Sequence, residues 1–265
     1  AYEILTCDWS SDVCSSDLPA LLEALTDVYR RDLLAEGIRA VLLAGAGKHF
    51  SAGHDLKEIL AGEEFWAARR ATPEGKLEHE RVNFGGIWHS DTTYLERPPM
   101  ASMLYAVEIP PYGGDTLFAN QYLAYETLSE TFRHLLDGLV GINSSLKADA
   151  SRTREERLRA AGVESRVLVG EHPVVRTHPE TGRKALFVNV GHTTHFKGLS
   201  EEESRPLLEY LFQHQIRPEF TCRLRWQPGS LAFWDNRCAQ HRAMWDYWPH
   251  TRLAHRVTVK GDRPF

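Results

Sequence analysis

Trp88-His89-Ser90-Asp91, with Gln240-His241 and Arg252 far downstream, is the most informative stretch of the chain. A His and an Asp two positions apart can share one face of a strand, because strand side chains alternate with period 2. A distant His can complete a three-donor face. Two imidazoles and one carboxylate leave three positions of an octahedral metal open, the arrangement of non-haem Fe(II) oxygenases. Arg252 lies 11 residues after His241 in the same strand-rich stretch. Its rigid guanidinium fork suits a carboxylate, such as the far end of 2-oxoglutarate. His-x-Asp alone also fits a surface turn, so the reading depends on what surrounds it.

The surrounding words are Tyr112-Gly113-Gly114-Asp115-Thr116-Leu117-Phe118-Ala119-Asn120, then Phe233-Trp234-Asp235-Asn236-Arg237, then Leu253-Ala254-His255-Arg256. In this order and density, residues 76–265 resemble the taurine dioxygenase (TauD/TfdA) family of Fe(II)/2-oxoglutarate-dependent oxygenases. The resemblance implies a mainly β fold with flanking helices, a double-stranded β-helix (jelly roll). It implies that His89, Asp91 and His241 are the catalytic iron ligands. Thr116 and Arg252 match the residues that hold the distal carboxylate of 2-oxoglutarate. Arg256 matches a second arginine that meets an anionic substrate group; a solvated strand-end charge is the other reading of it. The implied cofactors are Fe(II), 2-oxoglutarate as cosubstrate, and dioxygen. The implied reaction hydroxylates a small organic anion (a sulfonate, alkyl sulfate or carboxylate) and releases succinate and carbon dioxide. One departure disfavours taurine itself. The taurine enzyme has an Asn four residues before its first ligand, and here that position is Gly85.

Local patterns divide this region into elements. Met100–Ile109 reads as a strand, broken by Pro110-Pro111. Asn120 is a good N-cap for one helix carrying Tyr125, Leu128, Phe132, Leu135 and Leu136, with Gly138 at its end. Ser145–Ala161 reads as a charged loop, either a lid or an ordinary solvated connection. Pro179-Glu180-Thr181-Gly182 marks a hairpin between Val174–Arg176 and Ala185–Val190. His192 and His195 are expected to be non-ligands. Leu207, Leu208, Leu211 and Phe212 mark a second helix. Cys222–Gln227, Pro228-Gly229 and Ser230–Trp234 read as a hairpin, and Arg252–Lys260 as the last strand. Trp88, Phe233 and Trp234 suit apolar walls beside the metal or ordinary core.

The first seventy residues read differently. Residues 8–18 look like the in-frame translation of a sequencing-library adapter, so 1–18 is set aside as extraneous. Residues 19–60, with Gly45-Ala46-Gly47-Lys48-His49-Phe50-Ser51-Ala52-Gly53-His54-Asp55, resemble a fragment of the crotonase (enoyl-CoA hydratase) superfamily. In that family the backbone N–H matching His54 is half of an oxyanion hole; the other half and the catalytic carboxylates have no counterpart here. The expected organisation is therefore 1–18 extraneous, 19–70 a small foreign α/β fragment, and 76–265 an oxygenase domain truncated at its N-terminus. The alternatives are an acyl-CoA enzyme of the crotonase class or a non-functional chimera.

Composition is that of an ordinary globular chain: 265 residues, 42% hydrophobic, net charge −5. Mild acidity gives no reason to expect nucleic acid, and no apolar run is long enough to span a bilayer. Cys7, Cys14, Cys222 and Cys238 have neither zinc-site nor disulfide-framework spacing, which fits a reducing cytoplasm. The expected partner is a small anionic substrate; homo-oligomerisation is left open.

Overall fold

A computed structural model describes residues 84–148 and 167–265, and the backbone of strands β1 (Tyr2–Asp8) and β2 (Ala40–Ala46). Most of the crotonase-like stretch and of the predicted 145–161 loop lies outside the described residues. β1 and β2 pair in parallel, from Tyr2 against Ala40 to Asp8 against Ala46. The predicted strand Ile38–Leu43 thus overlaps β2, while β1 comes from the segment set aside as extraneous.

The described residues from 84 onward are mainly β. The strands are β3 (Ala101–Glu108), β4 (Thr116–Asn120), β5 (Val140–Ser144), β6 (Val169–Pro173), β7 (Val175–Thr177), β8 (Lys184–Leu186), β9 (Thr193–Phe196), β10 (Thr221–Leu224), β11 (Leu231–Asp235), β12 (Ala239–Ala243) and β13 (Leu253–Val259). Their antiparallel sheets have the orders β10-β4-β12, β11-β3-β13, β6-β5-β9 and β7-β8. The first two face each other. Phe118 and Leu224 of one sheet, Leu104, Ala106, Ala232 and Trp234 of the other, and Trp226 between β10 and β11 form one apolar cluster. Leu104 and Ala106 on β3, and Ala232 and Trp234 on β11, lie two residues apart and so share the inner face of their sheet, where they meet Phe118 and Leu224.

A second core lies under the helices. Leu136, Val174, Leu186, Val188, Phe196, Leu208 and Leu211 pack there with Ala124, Tyr125 and Leu128. Asn120 does cap a helix, accepting from the N–H groups of Tyr122 and Leu123. The single predicted helix is two, however: α1 (Gln121–Glu126) and α2 (Glu130–Leu136). The Thr127 hydroxyl donates back to the Leu123 carbonyl, and Ser129 starts a new cap on Phe132 N–H. Local side-chain bonds of this kind compete with a continuing helix. The second predicted helix is α3 (Glu201–His214), opened by a reciprocal Ser200/Glu203 capping box.

Two strand readings change. Cys222–Gln227 and Ser230–Trp234 are not a hairpin: β10 pairs with β4, and β11 pairs with β3. The Pro228-Gly229 turn carries the chain from one sheet to the other, with Gly229 N–H bonded to the Ala106 carbonyl. Turn chemistry predicts a reversal but not which partner each arm finds. Strands β5, β6 and β9 leave little trace in the sequence, because Val-Gly-Ile-Asn-Ser, Val-Gly-Glu-His-Pro and Thr-Thr-His-Phe lack a long apolar alternation. No helix among the described residues is long and apolar enough to cross a membrane.

Candidate metal centre

The site is built where the two facing sheets meet. His241 sits in the middle of β12. His89 pairs with it through an isolated antiparallel bridge, with His89 N–H to His241 carbonyl at 3.1 Å and the reverse bond at 2.9 Å. The chain then turns over residues 91–94, with Thr92 in the left-handed region at φ 42°. Asp91 is therefore in a turn, and the period-2 strand argument is not what brings it beside His89. The turn itself is held by buried polar bonds. Thr93 Oγ1 donates to Asn143 Oδ1 and accepts from Asn189 Nδ2.

The three side chains converge. Asp91 Oδ1 is 3.7 Å from Nε2 of both His89 and His241. One donor atom from each residue lies within 4.8 Å of the others, and all three residues are buried. His89 Nδ1 is 2.6 Å from the Ile87 carbonyl. A carbonyl only accepts, so Nδ1 carries the proton and Nε2 of the neutral ring presents a lone pair toward Asp91. Burial holds both imidazoles below the ordinary histidine value and so favours the neutral, ligating form. Burial works against charge on Asp91, but Arg256 and the Ser102 hydroxyl favour the carboxylate, and its pKa lies well below the usual range. Two neutral imidazoles and one carboxylate, with nitrogen and oxygen donors only, fit a divalent transition metal.

The walls are aromatic. Trp234 lies 4.7 Å and Phe118 6.2 Å from the His241 ring, centroid to centroid. Trp88 is buried. Phe118 was not singled out from sequence; its alternation with Thr116 along β4 was the available signal. His192, an expected non-ligand, stands edge-on to His89 at 6.4 Å.

Beside the donors is an arginine slot. Thr116 opens β4 and is buried. Its Oγ1 accepts from Trp226 Nε1 at 3.0 Å and from Arg252 Nη2 at 3.4 Å. Arg252 lies over the Trp226 ring at 5.3 Å, and its buried Nε has no hydrogen-bond partner. Burial lowers its pKa. A guanidinium desolvated in this way is ready for a carboxylate. The Gly113-Gly114 turn makes room for it: a Cβ on Gly114 would stand 3.1 Å from Arg252 Cδ. Arg256 also reaches the site. Its Nη2 is 2.5 Å from Asp91 Oδ2, and its side chain is 43% exposed.

A second cluster, His178, Asp235 and Cys238, also has metal-ligand elements. There Arg237 binds both oxygens of Asp235, which already accepts from His178. A buried guanidinium in contact with the carboxylate disfavours a cation.

The facing antiparallel sheets thus bring together three buried side chains that could hold a metal ion, with a desolvated arginine nearby. The chain belongs to the taurine catabolism dioxygenase TauD, TfdA family, whose model matches residues 51–258. That match starts upstream of the domain boundary read at residue 76. The chain is 42% identical over 184 residues to an alpha-ketoglutarate-dependent sulfate ester dioxygenase of Pseudomonas putida, covering 67% of this chain and 60% of that protein. It resembles the crystal structure of a taurine dioxygenase from Burkholderia xenovorans, with TM-score 0.65 and 31% identity, over 100% of this chain and 88% of that one. It also resembles AAD-2 in complex with Mn(II) and N-oxalylglycine, with TM-score 0.60 and 30% identity, over 68% and 64% of the two chains. The chain spans 54% to 60% of the length of the first curated relatives it matches.

Proposed function

We propose that this protein is an Fe(II)/2-oxoglutarate-dependent dioxygenase acting on a small organic anion, and that its sheets form a double-stranded β-helix. In this reading His89, Asp91 and His241 hold the iron, which when bound supplies a site for 2-oxoglutarate and dioxygen and for oxidative decarboxylation to succinate and carbon dioxide. Thr116 and Arg252 orient the distal carboxylate. Trp234, Phe118 and Trp88 keep water from the reacting centre. Arg256 meets the anionic group of a sulfonate, alkyl sulfate or carboxylate.

One observation carries the reading. Two neutral, buried imidazoles face a single carboxylate oxygen, beside a desolvated arginine that has no carboxylate in contact with it among the described residues. Burying a guanidinium with no carboxylate in contact with it among the described residues is costly, which favours a ligand carboxylate there. The sulfate ester relative favours an anionic substrate. We also propose that the domain occupies about 76–265 and that residues 1–18 and 19–70 are foreign to it, on the strength of the adapter-like and crotonase-like words.

The test is the anaerobic visible spectrum of the purified chain with Fe(II), before and after 2-oxoglutarate. The expected result is a new charge-transfer band that is lost in His89→Ala. Absence of the band in the parent chain refutes the proposal. Succinate release with sulfonates, sulfate esters and carboxylates then sorts the substrate class. Binding of a CoA thioester would instead favour the crotonase alternative.

A further inference from the structure

The metal-facing carboxylate has a second oxygen, and the chain has built an apparatus around it. Ser102, on β3 and fully buried, donates from Oγ to Asp91 Oδ2 at 2.5 Å. Ser102 Oγ in turn accepts from Asn236 Nδ2 at 3.0 Å. The Asn236 amide oxygen accepts from Trp234 Nε1 at 3.0 Å and faces the Asp91 backbone N–H at 3.5 Å. Every donor in this relay is used in one direction. The indole and amide N–H groups can only donate, so the Asn236 oxygen must face Trp234 and its nitrogen must face Ser102. The serine proton is then left to point at Asp91.

The relay matters because the Asp91 side chain is not oriented by a sheet. It sits in a turn after an isolated bridge, so no strand ladder sets its side chain. A free carboxylate could rotate and offer both oxygens. With Oδ2 held by the Ser102 hydroxyl and by Arg256, only Oδ1 remains aimed at the two imidazoles. Arg256 cannot do this alone. Its side chain is 43% exposed, and under the proposed function it is needed by the substrate.

We propose that Ser102 and Asn236 are positioning residues that lock Asp91 into single-oxygen presentation to the metal, and that Trp234 fixes the orientation of the Asn236 amide. This rests on the ligand set proposed above. Outer hydrogen-bond partners of metal ligands typically contribute about 10- to 100-fold in metal affinity, and removing the serine hydroxyl should fall in that range.

The experiment is anaerobic titration of the metal-free full chain with Co(II), read by the visible ligand-field spectrum and by calorimetric affinity. The proteins are the parent, Ser102→Ala, Ser102→Thr, Asn236→Asp, Asp91→Ala and Ser102→Ala/Asp91→Ala. Thermal unfolding in EDTA monitors the fold. The expected result is a loss of about 10- to 100-fold in affinity with an altered spectrum in Ser102→Ala. Ser102→Thr, which keeps the hydroxyl, should restore much of both. Ser102→Ala should cost no further affinity once Asp91 is absent. Equal affinity and spectrum in Ser102→Ala and the parent, with Asp91→Ala still impaired, overturns the relay but leaves the ligand set standing. No Co(II) binding by the parent overturns both. If Ser102→Ala does not fold, Asn236→Asp decides: a metal affinity and spectrum equal to the parent overturns the relay.

Discussion

Replacing Arg252 with Met separates a residue kept for a ligand from one kept for the fold. The side chain is partly buried over Trp226, and among the described residues its Nε has no partner and its Nη2 makes a long hydrogen bond to Thr116. A hydrogen bond to a charged group contributes about 1.5–3 kcal/mol. Losing one such bond to the 2-oxoglutarate carboxylate corresponds to an increase of about 10- to 150-fold in the concentration required. The apo protein should behave differently. Exchanging an uncompensated buried charge for an apolar side chain of similar volume is often neutral or stabilising. The lost cation–π contact opposes this by about 0.5–2 kcal/mol. Arg252→Met should therefore raise the 2-oxoglutarate requirement for succinate release while leaving denaturant unfolding of the metal-free chain within about 1 kcal/mol of the parent. An unchanged cosubstrate requirement refutes the slot. A large loss of apo stability with an unchanged requirement would recast Arg252 as a structural residue.

Three further outcomes follow from the same geometry. EDTA should abolish 2-oxoglutarate-dependent succinate formation and Fe(II) should restore it, whereas Asp91→Ala should stay inactive with added iron; rescue of that variant removes Asp91 from the ligand set. Gly114→Ala places a Cβ against Arg252 Cδ, Pro110 and Tyr247 at φ +70°, so it should raise the 2-oxoglutarate requirement, while Gly182→Ala at φ +67° meets nothing within 4 Å and should cost only the backbone strain of about 1–2 kcal/mol. Similar kinetic effects from both would argue against a steric role for the Gly114 turn. Burial holds His89, His241 and His214 below the ordinary 6.5 and pushes His192 down to about 3. The unfolded chain therefore takes up protons first. Through these rings, apo stability should fall as the pH drops through 6.5 toward 3; a rise in stability over that window would contradict their burial.

The motif words name His89, Asp91 and His241, and the structure brings these side chains together by means other than strand alternation: the bridge to His241 and the 91–94 turn. Helix capping at Asn120 was readable because the interaction is local. The break at Thr127–Ser129 was less so, since the apolar spacing of Tyr125, Leu128 and Phe132 continues across it. The β10/β11 reading failed for a related cause. A Pro-Gly turn is visible in sequence, whereas pairing with β4 and β3 depends on residues about a hundred positions away.

Which chemical groups exist, and in what order, is legible in the residues alone: two imidazoles, a carboxylate, two arginines, and the β-rich pattern around them. Those are properties of residue type, local period and motif, and they suffice for the family. Tertiary structure alone decided that Asp91 turns one oxygen to the histidines and the other to Ser102 and Arg256. It also decided that Arg252 lies desolvated between Thr116 and Trp226. Such arrangements are made by side chains from different sheets meeting across a core, and their separation in the chain bears no relation to their distance in space.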